Sequence, residues 1–458
     1  MIQSKASPLD RFLMGSTLIF LVWLPLPLGS DRDWSSYLLI MIAALLSALW
    51  SVSQLQKTAQ NNKALKPALI MVGLLGLTQL WVLTQFLMGW TVDQSRTFDY
   101  LLLGCAYTLL FLLIVGLFHT RKRLILLISV LIISGTFQAF YGSLMVLSKI
   151  EWLLFMPKER GFGSATGTYV NRNHLAGYLV MTISLGIGLL MALRDGKPMS
   201  FRSLLEVFMG SKARLRLAII IMVIGLVMTT SRMGNTAFFA SIILVGAIFV
   251  LINKENRLRN SLILVSILII DLLVISQFFG LERLQNRLAQ TEITISTVAG
   301  DAKTGQATEL IFDVNDLRGV AFRNTITMGQ DRPWLGFGAG TYESAFQAYK
   351  ESSFGPNFHH AHNDFLQFWV EYGLIGFIPL ILFGIMAFYY ALKALFKQDS
   401  WFRSGLGFGS TMALIGMLIH ATSEFNLQIP ANAATFVCVC AIAVLANFHR
   451  KGHTSRSR

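Results

Sequence analysis

Apolar runs of about twenty residues recur along the chain, and they constrain its fold more than any other feature of the sequence. A helix needs roughly 20 residues to cross a hydrocarbon layer of ~30 Å, and in lipid its backbone must satisfy its own hydrogen bonds. Hydrophobic residues make up 54% of the chain, charged residues 14%, and the mean hydropathy is +0.58. This composition excludes a pair of ordinary water-soluble domains. We predict an all-α, polytopic transmembrane helix bundle.

The runs divide the chain into about twelve predicted spans, with boundaries set by where the apolar pattern stops. The first span follows Lys5 and Arg11 and resembles a signal peptide. It ends without a small-x-small cleavage site, so we expect an uncleaved anchor. Cys105, Cys438 and Cys440 lie inside apolar runs, without metal-ligand spacing. The predicted spans are 12–28, 35–53, 67–87, 99–118, 124–146, 174–193, 216–230, 235–252, 261–279, 365–396, 404–423 and 431–448.

The positive charges are distributed unevenly between the two sides of the predicted bundle. Of 38 Lys and Arg residues, 24 fall in the set of alternate loops that includes both termini, and 14 in the other set, 7 of these within 280–361. Cytoplasmic loops carry the excess of Lys and Arg, so both termini are predicted to be cytoplasmic and the long loop extracytoplasmic. The same rule explains the net charge of +14 without nucleic acid. The predicted organisation is spans 1–9 in 1–279, a loop in 280–362, and spans 10–12 with a basic tail in 363–458.

The long loop is predicted to carry structure of its own. Residues 291–297 alternate weakly like a strand, and 315–328 has the apolar spacing of a short amphipathic helix. The glycines within 336–340 predict a flexible elbow before a second helix at about 341–352. A phosphate cradle is the alternative interpretation of this glycine run.

A histidine cluster at 359–364 stands where the long loop enters the tenth span. A histidine can take a proton from a hydroxyl at ambient pH, which makes His362 the candidate general base. His360 and His362 form an H-x-H pair, but no further ligands follow at metal-binding spacing. Asp364, Gln367 and Glu371 share one helical face. Glu371, at membrane depth, is either functional or the structural partner of an arginine.

Arginines outside the cytoplasmic loops are candidates for binding an anion. Arg232 lies in a short turn between two apolar spans, where membrane anchoring is the alternative. Arg318 and Arg323 lie on the predicted loop helix about 140° apart, so they are not expected to serve one ligand together. Arginine forks match phosphate oxygens, and arginines beside a lipid interface suit a diphosphate head group.

Polar residues also gather at the entrance of the sixth span, in 167–174. Asn171, Asn173, Arg172 and His174 could bind sugar hydroxyls or phosphate there. A helix cap formed by Asn171 or Asn173 is the simpler explanation for part of this pattern.

His362, Asn363, Gly373 and Gly376 form the pattern His-Asn, nine residues, Gly-x-x-Gly. With 167–174, Ser231-Arg232, Arg318, 331–338, Glu424 and Pro430, the chain resembles, over about 160–430, the O-antigen ligase and O-antigen polymerase superfamily. These bacterial membrane glycosyltransferases use undecaprenyl-diphosphate-linked glycans.

The resemblance implies a GT-C-like enzyme in the bacterial inner membrane, with its active site facing the periplasm. It implies an inverting, metal-independent transfer without a cofactor, in which His362 is the base and Arg232 and Arg318 hold the donor diphosphate. Arg323 is the reserve for Arg318. The favoured acceptor is lipid A core; a growing glycan (polymerase) or a protein (O-oligosaccharyltransferase) are the alternatives. Supporting residues are Asn363, Asp364, Glu371, Asn171, Asn173, His174 and His360.

A multi-pass transporter is the alternative from another functional class, with Asp364, Glu371 and the histidines as a proton relay. Transporters commonly have repeated halves and broken helices near the midplane. Here the polar residues gather at one rim and no internal repeat is visible in the sequence, which favours the transferase.

Overall fold

A computed structural model describes most of the chain. The described residues are 7–55, 62–193, 213–253, 317–350, 358–397 and 399–449, with short pieces at 257–258, 261–262, 264–266, 269, 295–296 and 311–312. Within them the chain is helical, which confirms the predicted all-α class.

Thirteen helices in the described part form the bundle and its loop. They are α1 Pro8–Trp23, α2 Asp33–Leu55, α3 Leu65–Leu87, α4 Gln94–Leu117, α5 Arg121–Ser148, α6 Arg172–Ala192, α7 Ala213–Met228, α8 Arg232–Ile252, α9 Leu317–Asp331, α10 Tyr342–Phe346, α11 Asp364–Leu395, α12 Trp401–Ala421 and α13 Pro430–Phe448. Nine of them, namely α2 to α6, α8 and α11 to α13, are long and apolar enough to cross a membrane.

The sequence predicts twelve spans, and the part of the chain that the structure describes contains nine such helices. The first and seventh predicted spans correspond to α1 and α7, which have 16 residues each. Helix α1 ends at Trp23 rather than near 28, because Pro25 and Pro27 cannot continue the helix and Gly29 has a φ of +76°. The ninth predicted span, 261–279, lies largely outside the described residues.

Two small antiparallel β ladders interrupt the helices. Trp152–Leu153 (β1) pairs with Met156–Pro157 (β2), and Ile295–Ser296 (β3) pairs with Ile311–Phe312 (β4). Strand β3 falls within the predicted strand 291–297, and α9 closely matches the predicted helix 315–328. The second predicted loop helix is shorter than expected, because α10 ends at Phe346.

Helix α6 forms the centre of the bundle. It is buried on every side and packs against α12, which is also largely buried. The two backbones approach closely where Gly188 faces Gly405 and Gly409, since a Cβ on Gly188 would lie 2.6 Å from the Gly409 Cα. Small residues allow such contact between membrane helices, which associate through packing rather than through hydrophobic burial.

Helix α11 is interrupted near its first third, at Gly373, whose φ is +60° and ψ 176°. The loop before α10 docks into this break by backbone hydrogen bonds. The Leu374 amide donates to the Pro333 carbonyl (2.9 Å), and the Phe337 amide donates to the Val370 carbonyl (2.9 Å). The break and the loop therefore satisfy each other's backbone groups.

Side chains of α3 hold the same break from the other side. The Trp81 indole donates to the Tyr372 carbonyl at 2.7 Å, and the Gln85 amide donates to the Leu335 carbonyl at 2.7 Å. Together these contacts attach the long loop firmly to the bundle beside the histidine cluster.

The glycine run at 336–340 serves this docking as an elbow. Gly336, Gly338 and Gly340 all have positive φ values, between +70° and +108°. The Gly336 amide donates to the Arg332 carbonyl (3.0 Å) and the Gly338 amide to the Glu371 carbonyl (3.0 Å). These amides are engaged with backbone carbonyls, so the structure favours the elbow over the phosphate cradle.

Candidate active site

His362 lies in the tight loop that leads into α11. Its φ of +51° is in the left-handed region, which few residues other than glycine adopt. The next residue, Asn363, caps α11: its Oδ1 accepts from the Leu366 amide (3.0 Å) and its Nδ2 donates to the Thr422 carbonyl (2.9 Å). The cap fixes the loop to the turn after α12 and thereby fixes the position of His362.

A buried carboxylate faces the imidazole of His362. Glu424 Oε2 lies 3.5 Å from His362 Nδ1, and the Glu424 side chain is 1% exposed. Its other oxygen, Oε1, accepts a hydrogen bond from the Asn173 side chain at the start of α6. Three distant parts of the sequence thus meet at one point.

The sequence alone leaves open whether Asp364 or Glu371 orients His362 or the acceptor, and it assigns no such role to Glu424. Glu424 appeared only among the residues that carry the family resemblance. Its polar side chain between two apolar spans was the one signal that could have identified it.

Three histidines surround the ring of Phe425. His174, His360 and His362 lie 4.6, 4.2 and 4.8 Å from it between ring centroids, with His360 stacked and the other two edge-on. His360 Nδ1 is 3.1 Å from the Gln367 side-chain nitrogen, and burial lowers the pKa of His360 to about 3. His360 is therefore neutral at ambient pH.

Asp364 and Glu371 are both buried on α11 and accept backbone hydrogen bonds. Asp364 Oδ2 accepts from the Leu427 amide (3.1 Å), and Glu371 Oε1 accepts from the Tyr342 amide (3.2 Å) and from the Gln367 side chain (3.0 Å). Asp364 therefore holds the turn before α13 against α11, and Glu371 holds α10 against α11.

Arg232 is exposed at the first position of α8, at the same end of the bundle as His362. The start of α6 connects this end of α8 to the His362 site. The Arg172 guanidinium donates to the Thr230 hydroxyl at 2.8 Å, just before α8 begins. Asn171 caps α6 by accepting from the Asn173 amide at 2.9 Å, as its helix-cap interpretation predicts.

The two loop arginines lie on α9, which packs against α11. Arg323 is exposed on the face opposite the buried Ala321 and Thr325. Arg318 lies in the first turn of α9, and its side chain is outside the described residues.

In the described ranges, no three His, Cys, Asp or Glu side chains come together as a group that could hold a metal ion.

An apolar cavity of about 350 Å³ lies among α3, α4, α11, α12 and α13. Its wall includes Asp364 and Phe365, so it begins next to the His362 loop. Aromatic side chains such as Tyr107, Phe368 and Phe436 line it further along the helices. The site therefore joins a polar rim to an apolar chamber within the span region.

Comparison with known proteins finds a family match over part of the chain. Residues 217–381 match the family model described as O-Antigen ligase. This range runs from α7 into α11 and contains Arg232, Arg318, Arg323, His362 and the break at Gly373. No curated protein matches the sequence. The family match confirms the resemblance of this multi-pass membrane chain to the O-antigen ligase and O-antigen polymerase superfamily.

Proposed function

We propose that the chain is a membrane glycosyltransferase that moves a glycan from undecaprenyl diphosphate to an acceptor hydroxyl, with lipid A core as the acceptor. The reaction takes place at the periplasmic face of the inner membrane. The observation that carries this proposal is the His362–Glu424 contact, which lies beside Asp364 in the wall of the apolar cavity.

His362 is the general base of the proposed reaction. The carboxylate 3.5 Å from its Nδ1 can orient the ring and stabilise the imidazolium that forms when the ring takes a proton. Asn173 holds Glu424 in turn, so the base is supported from α6. His362 is partly exposed, which leaves it accessible to an acceptor hydroxyl.

The donor is a lipid-linked diphosphate because the site combines an apolar chamber with exposed arginines. The cavity takes part of the polyprenyl chain at membrane depth. Arg232, with Arg318 or Arg323 from α9, binds the diphosphate by charge-assisted hydrogen bonds.

The proposed step is a single displacement at the anomeric carbon. His362 removes the acceptor hydroxyl proton while the hydroxyl oxygen bonds to that carbon, and the bond from carbon to diphosphate oxygen breaks on the opposite face. The configuration is inverted, and undecaprenyl diphosphate leaves as the anion. Arginine charge stabilises the developing negative charge, so the proposed step needs no metal ion.

Transfer by the purified full chain in vesicles tests the proposal. A labelled undecaprenyl-diphosphate glycan is offered with lipid A core, free glycan and protein as separate acceptors. We expect His362→Ala and His362→Asn to lose about 100-fold or more of the transfer rate, the usual contribution of a general base. Asparagine tolerates the left-handed backbone at this position better than alanine.

His359→Ala is the matched control, because His359 belongs to the same loop but is exposed and contacts Glu343 (2.7 Å). It should retain nearly full activity. Unchanged transfer in both His362 variants would refute the base, and a strict divalent-metal requirement would favour the H-x-H alternative. If product forms only on free glycan or only on protein, that molecule and not lipid A core is the acceptor. Substrate uptake without glycan product would favour a transporter.

A further inference from the structure

The segment between α5 and α6 carries an apolar surface that the proposed reaction does not use. Ile150, Trp152, Phe155, Met156 and Phe162 are all exposed there, and Phe155 at the tip of the β1–β2 hairpin is 93% exposed. Leaving apolar side chains in water costs about 25 cal/mol per Å² of surface. Exposed apolar side chains gathered in one short segment indicate an interaction surface, which we call the apolar patch.

The hairpin is held in place, so its exposed tip is a property of the fold. Its strands pair Trp152 with Pro157 and Leu153 with Met156. The Tyr141 hydroxyl of α5 donates to the Trp152 carbonyl (2.6 Å) and accepts from the Leu154 amide (3.0 Å). The hairpin is thereby fixed to the end of α5.

A buried ion pair at the base of the hairpin and the hydrogen bonds beside it connect the hairpin to the starts of α6 and α8. Lys158 Nζ lies 2.6 Å from Glu151 Oε2 and also donates to the Ser164 carbonyl at 2.7 Å. The Ser164 hydroxyl is 2.9 Å from the Thr230 hydroxyl and accepts from Arg172 at 3.1 Å. The hairpin and the start of α8 therefore form one connected unit.

The apolar patch continues a lipid-facing stripe on α5. Exposed apolar residues recur on this helix at intervals of three and four, which places them on one face. They are Ile133, Phe137, Phe140, Leu144 and Leu147. Because α5 is long and apolar enough to cross a membrane, we expect this exposed apolar face to contact lipid. Ile150 is the next exposed apolar residue, at the entrance to the hairpin.

The length of α5 puts the hairpin at membrane-surface depth. Its 28 residues rise about 42 Å at ~1.5 Å per residue, which exceeds a hydrocarbon layer of ~30 Å. Arg121, Lys122 and Arg123 mark one membrane surface at its start. Its other end therefore reaches the opposite interface, where tryptophan is enriched.

We propose that the exposed apolar side chains of residues 150–162 form an interfacial membrane anchor whose partner is the lipid leaflet beside the His362 site. Trp152, Phe155 and Met156 insert among the lipid head groups and upper acyl chains. Through Lys158 and Ser164 the anchor fixes the depth of the α6 and α8 ends relative to that leaflet.

Nitroxide accessibility in phospholipid nanodiscs tests this proposal on the full chain. Cys105, Cys438 and Cys440 are first replaced by alanine. Single labels are then placed by Phe155→Cys, by Ile133→Cys on the lipid-facing stripe and by Glu159→Cys, an exposed polar position in the same segment. Collisions with oxygen report lipid, and collisions with a nickel chelate report water.

We expect the oxygen-to-nickel accessibility ratio at Phe155→Cys to lie at least halfway from the Glu159→Cys value to the Ile133→Cys value. A ratio equal to that at Glu159→Cys would overturn the anchor. Low accessibility to both reagents would mean that protein, such as a second copy of the chain, covers the tip, and would also overturn it. Trp152→Cys replaces Phe155→Cys if that variant fails to fold. No step depends on glycan transfer, so the result is independent of the proposed function.

Discussion

At the scale of single residues, the contact between Glu424 and His362 is the feature that most shapes the proposed chemistry. Glu424 is almost completely buried and bound by Asn173, whereas His362 is partly exposed. A buried carboxylate is costly unless charged or polar neighbours compensate it. Its position therefore fits a role in orienting the imidazole, which makes it a positioning residue.

Glu424→Gln should lower the transfer rate by roughly 10- to 100-fold, part of the contribution usual for a general base. Glutamine keeps the shape and the hydrogen-bonding capacity but removes the charge that stabilises the imidazolium. The loss should appear in kcat, while the KM for the lipid-linked donor stays nearly unchanged, because Glu424 acts on the base and not on the donor. Rates measured over a range of donor concentrations on purified protein provide the check.

Glu424→Asp is the companion variant, since it restores the charge and should recover part of kcat. A purely structural role for Glu424 would reduce the amount of folded protein without lowering kcat per folded molecule. That result would leave His362 without its proposed carboxylate partner.

At the scale of structural elements, the break in α11 explains why glycine occupies position 373. The backbone angles there are accessible to glycine alone, and a Cβ would overlap the Trp334 carbonyl. A Cβ on Gly376 would likewise overlap the Trp81 ring. The Gly-x-x-Gly of the sequence pattern thus maintains the docking of the long loop beside the site.

Gly373→Ala should destabilise the protein by on the order of 3 kcal/mol, from backbone strain and overpacking together. Thermal unfolding in detergent measures the loss. Gly384→Ala is the control in the same helix: its Cβ meets open space, and its backbone is helical. Alanine there should be neutral or slightly stabilising. Equal melting temperatures for the two variants would contradict the role of the break.

At the scale of the whole molecule, all the described candidate residues around His362 gather at one end of the bundle. The starts of α6, α8 and α11 and the turn between α12 and α13 meet there through Arg172, Asn173 and Asn363. The count of positive charges predicts that this end faces the periplasm, opposite the Lys- and Arg-rich start of α5.

Cysteine labelling in whole cells tests this orientation. In a Cys105→Ala background, Glu159→Cys should react with a membrane-impermeant maleimide once the outer membrane is permeabilised. Lys122→Cys, exposed at the start of α5, should react only after the cells are lysed. Labelling in detergent confirms that both thiols are reactive, and the reverse pattern in cells would invert the proposed topology.

The sequence by itself determined the membrane class and the positions of most helices, and it singled out His362 as the candidate base. The length of an apolar run is a property of the local sequence, so nine predicted spans coincide with long helices. The spacing from His362 to Gly373 is likewise read directly from the sequence. Apolar length alone placed the end of α1 too late, because its prolines stop the helix earlier. On α9 a neighbouring element decides instead: Thr325 is buried, with its hydroxyl 2.8 Å from that of Tyr342, while the apolar Ile326 is exposed.

Only the tertiary structure decided which carboxylate faces His362, how the long loop docks and where the cavity lies. Asp364 and Glu371 are near His362 along the chain, yet both accept hydrogen bonds from backbone amides. Glu424 is separated from His362 in the sequence by α11 and α12. The proposed hairpin anchor likewise depends on the contact of Lys158 with Ser164 and on the hydrogen bonds of Tyr141 to the hairpin. The His362–Glu424 contact joins residues far apart in sequence, whereas the hairpin contacts join residues across a turn. Both kinds depend on packing, which no local periodicity specifies.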